Sequence, residues 1–143
     1  MKNNSDTICP IARCVHLVGD AWNLLILRDA NLGLSRFDDF RKSLNIAPTM
    51  LTRRLATLTE EGLLEKRRYS ERPPRDEYIM TAAGRDLIPV LFMIGAWGKQ
   101  HRGGGKLRQF LDAETGQEIK PIVVDAATGG RIGTRAIRVV TPD

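Results

Sequence analysis

The stretch that most constrains the fold is Ser43–Leu64, which reads SLNIAPTMLTRRLATLTEEGLL. Leu51, Leu55 and Leu58 recur at helical spacing and give the segment one apolar edge. At about 100° per residue, the opposite face carries Thr49, Thr52, Arg53 and Ala56, with Met50 and Thr57 beside them. Pro48 suits a first helical turn, where its missing N–H would be unpaired in any case. Gly62 stands where a left-handed cap is expected. The segment therefore predicts a short helix over Pro48–Glu61. Its outward face offers small residues, hydroxyls and an arginine in place of the Glu and Lys of an ordinary solvated surface. Such a face fits a groove of DNA, and the flanking segments decide whether that reading holds.

Upstream, Cys9–Gly19 is a short amphipathic helix with Pro10 in its first turn and Ile11, Val15 and Val18 on one face. Asp20 can cap a second helix, Ala21–Ala30, in which Trp22, Leu25, Ile26 and Asp29 share a face. Ser35 is the expected N-cap of a third, Arg36–Leu44, with Asp38 and Asp39 favouring its positive end. Asn45-Ile46-Ala47 is a tight turn into Pro48–Glu61, so the third and fourth helices form a helix-turn-helix.

After Gly62 the period changes from 3.6 to 2. Leu63–Tyr69 reads as a strand and Asp76–Met80 as its return, joined by the basic loop Ser70–Arg75. A hairpin placed there is the wing of a winged helix. Thr81 caps a long helix, Ala82–His101, which is apolar almost all round from Leu87 onward. A small domain has no core left to cover both of its sides, so the same helix of a second subunit is the expected cover, with Leu87, Leu91, Ile94 and Trp97 in the interface. Gly103-Gly104-Gly105 then forms a joint, which divides the chain into a domain at 1–102 and a tail at 103–143. The tail carries a repeat: Asp112-Ala113-Glu114-Thr115-Gly116 is echoed by Asp125-Ala126-Ala127-Thr128-Gly129, each flanked by apolar residues at strand spacing. Two small β-hairpins are expected, too small to hold themselves together. The fold class is thus mainly α with small β, a winged helix-turn-helix domain with a C-terminal β-hairpin appendage.

The net charge of +5 and a pI near 9.6 lean towards a polyanionic partner. No run of about eighteen apolar residues is present, so no membrane span is expected. The N-terminus, MKNNSDTICP, has no signal-peptide character, and a cytoplasmic protein is expected. Two cysteines are too few for a disulfide-stapled fold. The sequence holds no nucleophile with a base, no phosphate loop after a strand and no zinc quartet, and neither His16 nor His101 has metal-ligand spacing. An enzyme, a metal site and a cofactor are therefore not expected.

The ordered set of features resembles HxlR-type transcriptional regulators, winged helix-turn-helix proteins related in fold to the MarR group. The matching residues include Cys9-Pro10, Gly19, Trp22, Leu24–Arg28, Phe37, Phe40, Pro48, Met50-Leu51, Arg54-Leu55, Leu58, Gly62-Leu63, Pro73–Arg75, Glu77-Tyr78, Thr81, Gly84 and Pro89–Leu91. The resemblance covers all but the tail. It implies a homodimer clasped by the first and last helices, with Ile8 and Ile11 joining the interface, that binds inverted-repeat operators in double-stranded DNA. The expected role is repression, with control by redox chemistry or by a small-molecule effector that the sequence does not name. Some family members sense oxidants through a cysteine near the N-terminus, the position of Cys9. The chain departs from the family at Ala47, where a serine often precedes the proline; an alanine cap forfeits about 1 kcal/mol of helix stabilisation.

The expected DNA-binding residues follow. Pro48, Thr49, Met50, Thr52 and Arg53 face base edges or nearby phosphates, since arginine can grip guanine O6 and N7 together. Arg54 lies nearer the buried edge, which suits a phosphate contact or a structural ion pair. Arg68, Arg72 and Arg75 are expected on the backbone from the wing, the tip pair foremost; Ser35 and Arg36 stand where the backbone passes the third helix, although simple capping serves Ser35 equally. Cys9 has two readings: a thiol activated by a helix N-terminus, or a small packing residue in the interface. The rival to operator binding is a winged helix used as a protein- or RNA-interaction module.

Overall fold

The computed structural model describes residues 8–143; most of the N-terminal stretch expected to hold no signal peptide lies outside the described residues. Five helices and one hairpin follow in the order α1 (Pro10–Val18), α2 (Ala21–Asn31), α3 (Phe37–Leu44), α4 (Pro48–Glu60), β1 (Leu64–Glu71), β2 (Pro74–Met80) and α5 (Ala82–Arg102). The chain separates into two compact units, the first ending at Ile88 and the second running over Pro89–Asp143. The boundary between these two units falls within α5, where the core of the first unit ends.

In the first unit, Ile26, Leu27, Phe40, Leu51, Leu55, Leu58 and Leu64 are fully buried, with Ile46 of the turn and Ile88 of α5 beside them. The apolar edge of α4 is therefore the centre of the core. Its polar face is left outward as a consequence. The turn before α4 is made by Asn45, whose φ of 49° is left-handed, a conformation that Asn tolerates because its side chain can bond locally. Asp20 caps α2 by accepting from the Asn23 amide at 3.0 Å, and Thr81 caps α5 by accepting from the Gly84 amide at 3.1 Å. At Gly84 a Cβ would lie 2.3 Å from the Leu63 carbonyl oxygen, so only glycine lets α5 begin this close to the strand. Asp29, expected on the apolar face of α2, is buried with both oxygens bonded. Arg28 donates to Oδ1 through two nitrogens and the Ser43 hydroxyl to Oδ2 at 2.6 Å.

Two expectations need correcting here. The N-cap of α3 is Arg36, not Ser35. Ser35 is drawn to the hairpin, where its carbonyl accepts from the Tyr78 amide at 2.7 Å and its hydroxyl donates to Glu77 Oε2 at 3.1 Å. The helix therefore starts one residue late. The wing is also longer and tighter than a Ser70–Arg75 loop. Pairing runs out to Glu71 opposite Pro74, leaving a turn at Arg72 and Pro73, and Tyr69 is the extra residue of a bulge between Arg68 and Ser70.

In the second unit, α5 continues through Pro89 to Arg102. The two expected turns are present, with Gly116 and Gly129 both at φ 71°. Each is closed by one strand-like bridge, Leu111 with Glu118 and Val124 with Arg131, so the hairpins are minimal. The first is fixed to α5: Phe110 packs edge-on against Phe92 with ring centroids 5.1 Å apart, and Lys99 pairs with Glu118.

Candidate nucleic-acid interface

The position of α4 follows from burial. With Leu51, Leu55 and Leu58 turned inward, Thr49, Thr52, Arg53 and Ala56 are exposed and Met50 is half-buried. Pro48 opens the helix at its first turn, and Ala47 supplies no side-chain cap, as the residue type dictates. Thr52 bonds back to the Pro48 carbonyl at 2.9 Å, which uses its donor and leaves its oxygen outward as an acceptor.

The arginines divide into two groups that the sequence does not separate. Arg54 is committed: its Nη2 lies 2.9 Å from Asp20 Oδ2 with both side chains mostly covered, which makes it a strut from α4 to the start of α2. Arg68, expected as a DNA contact, lies 3.2 Å from Asp76 and 3.6 Å from Glu71. Its neighbours are engaged too, Lys66 with Asp76 at 3.7 Å and Arg67 with Glu65 at 4.0 Å. Arg53, Arg72 and Arg75 are exposed and, among the described residues, have no acidic partner. Arg36 is exposed, and its guanidinium lies 4.4 Å from the centroid of the Tyr69 ring, a cation–π contact. The bulge that presents Tyr69 therefore also holds Arg36 against the outer half of the wing. Sequence reasoning missed this contact, and no signal short of the strand register reveals it.

A second polar strut joins α1 to the end of α4, where His16 Nε2 lies 3.2 Å from Glu61 Oε1. The residues expected at a dimer contact are open in part. Ile8 and Ile11 are 64% and 74% exposed, Ile94 and Trp97 are 48% and 55% exposed, and Leu87 and Leu91 are half-buried. Cys9 is exposed at the N-cap of α1. Among the described residues no cluster of His, Cys, Asp and Glu could hold a metal ion, and no helix is long and apolar enough to cross a membrane.

Comparison with known proteins agrees with this geometry. A family model described as HxlR-like helix-turn-helix matches residues 17–105. An HTH-type transcriptional regulator of Mycobacterium tuberculosis is 35% identical over 135 residues, 93% of this chain and 84% of the relative. The crystal structure of PA1607, described as a candidate transcription factor, superposes with a TM-score of 0.88 at 33% identity, covering 97% of this chain and 99% of that one. The redox regulator HypR in its reduced form has a TM-score of 0.61 at 29% identity and covers 66% of this chain and 94% of its own. The matches to the Mycobacterium tuberculosis regulator and to PA1607 extend into the tail.

Proposed function

This chain belongs to the HxlR-like helix-turn-helix family of transcriptional regulators, and we propose that it is a cytoplasmic repressor that binds an inverted-repeat operator as a homodimer. The observation that carries the reading is the division of the arginines. Those paired within the chain build the scaffold; Arg53 on α4, Arg72 and Arg75 on the wing and Arg36 beside it keep their charge for an outside anion. Arg53, Thr49 and Thr52 read base edges in the major groove, supported by Pro48 and Met50 at the helix start. Arg36, Arg72 and Arg75 contact phosphates, and Ser35 holds the wing in place. The second subunit meets α1 and the outward stripe of α5. Footprinting the protein on its own upstream DNA tests this: two protected half-sites about one helical turn apart are expected. Sedimentation showing one protomer per site would refute it, and so would equal affinity for upstream and random DNA.

Redox control through Cys9 is the regulatory part of the reading. The thiol is exposed at the N-cap of α1, and HypR, a relative in structure, is named a redox regulator. Operator affinity is expected to change on mild oxidation of the wild type and to stay constant in Cys9→Ser. An affinity indifferent to oxidation would remove this part and leave the operator reading standing.

A further inference from the structure

The second unit presents a physical difficulty. Not one residue from Pro89 to Asp143 is buried, yet the turns are ordered. In the first, Asp112 Oδ1 accepts from the Glu114 and Thr115 amides at 2.9 and 2.8 Å. In the second, the Ile132 amide donates to the Val123 carbonyl at 2.9 Å. The first turn is anchored on α5 by Phe110 and Glu118. Beyond it, Ile122, Val123 and Val124 stand 44–55% exposed, while Ile137, Val139 and Val140 reach 70–89%. At about 100 Å² of apolar side chain per aliphatic residue, these six residues leave about 370 Å² uncovered. That area matches the largest apolar patch of a typical monomer, which is often a functional surface. With the exposed stripe Val90, Ile94 and Trp97 of α5 added, the total is about 520 Å², roughly two thirds of the ~800 Å² per partner of a standard interface.

Charge identifies the occupant. The first turn is acidic, with Asp112 and Glu114 and no basic residue between Phe110 and Ile119. The C-terminal segment is basic, and Arg131, Arg135 and Arg138 have no acidic partner among the described residues. Acidic and basic surfaces on one unit that do not satisfy each other within the chain are self-complementary across a two-fold axis, where each pairing is made twice.

We propose that the tail docks on a second copy of this chain, its aliphatic strip packing across the two-fold and the acidic first turn of each copy lying against Arg135 and Arg138 of the other. The proposal rests on the homodimer proposed above and extends its interface from α1 and α5 into the tail.

Full-length variants separate the two. In sedimentation equilibrium, Arg135→Glu/Arg138→Glu is expected to raise the dimer dissociation constant at least tenfold, with adding Glu114→Arg recovering most of the affinity. Ile122→Ser/Val139→Ser should weaken the dimer similarly. All these side chains are exposed, so thermal unfolding by circular dichroism should stay unchanged at concentrations where the variants are monomeric. Ile94→Ser/Trp97→Ser on α5 tests the underlying dimer. If it weakens association while the tail variants do not, the tail proposal alone fails. A wild type that never associates would remove both. Should the tail variants lower operator affinity with an unchanged dimer constant, the tail binds DNA and the proposal is overturned.

Discussion

Replacing Arg53 and Arg54 one at a time should produce opposite phenotypes, although the two are adjacent in sequence. Arg53 is exposed and touches no acid, so Arg53→Ala leaves folding intact. A bidentate arginine–guanine contact is worth ~1–3 kcal/mol of discrimination. Two half-sites double that, so operator preference over random DNA should fall by roughly thirtyfold to twenty-thousandfold. Arg54→Ala instead removes the 2.9 Å pair with Asp20 and leaves that carboxylate with the Asn23 amide alone. A hydrogen bond to a charged group contributes about 1.5–3 kcal/mol when well covered. Discounting for the partial exposure of both side chains leaves about 1 kcal/mol, or ~4–8 °C of Tm in a domain of this size. Fluorescence anisotropy on operator and scrambled duplexes, beside thermal unfolding, reads both effects. An Arg53→Ala protein that keeps its operator preference would refute the assignment of α4. An Arg54→Ala protein that keeps its Tm and loses preference would show that the ion pair opens to let Arg54 read DNA.

The wing yields a second contrast. Arg72→Ala and Arg75→Ala should each reduce the slope of log affinity against log salt by about 0.9 for every phosphate that the arginine neutralises. Arg68→Ala should leave the slope unchanged, because Asp76 and Glu71 already occupy that guanidinium. Ala47→Ser adds the missing N-cap of α4 and should raise stability by about 1 kcal/mol, read as an increase in Tm. In the tail, the amides of Thr115 and Glu114 hold the Asp112 carboxyl below its ordinary 3.8, and Lys99 holds Glu118 below 4.5. A lowered folded-state pKa contributes stability above the unfolded value that is lost as pH falls through the folded one. The first turn should therefore keep the full contribution above the ordinary carboxylate values and lose it as pH falls through the two lowered ones. Carboxyl NMR titration gives both midpoints, and Lys99→Met should move that of Glu118 upward.

What the sequence makes legible follows the range of the interactions involved. The cap at Asp20, the left-handed Gly62 and the two Thr-Gly turns each depend on a few neighbouring residues, and these are where the pattern puts them. The start of α3 departs from the pattern because its decisive partners, Glu77 and Tyr78, lie some forty residues away. For the same reason, composition cannot tell Arg53 from Arg54: the difference is an aspartate brought in by the packing of α2. The tail is legible as two turns but not as an uncovered surface, because exposure is a property of the folded chain.

The division of the arginines also bounds the electrostatics of the complex. The basic residues of α4 and the wing suggest a strongly salt-sensitive binder, yet Arg54, Lys66, Arg67 and Arg68 are partnered within the chain. A group already paired has no condensed DNA counterion to displace unless its own pair first breaks. Arg36, Arg53, Arg72 and Arg75 remain, and Arg53 is assigned to bases. Three phosphate contacts per protomer give six per dimer and a limiting slope of about −5. A much steeper measured slope would mean that the internal pairs open on binding or that the basic C-terminal segment also reaches DNA. The Arg68→Ala and Arg135→Glu/Arg138→Glu variants distinguish those two routes, since each leaves the other's arginines untouched.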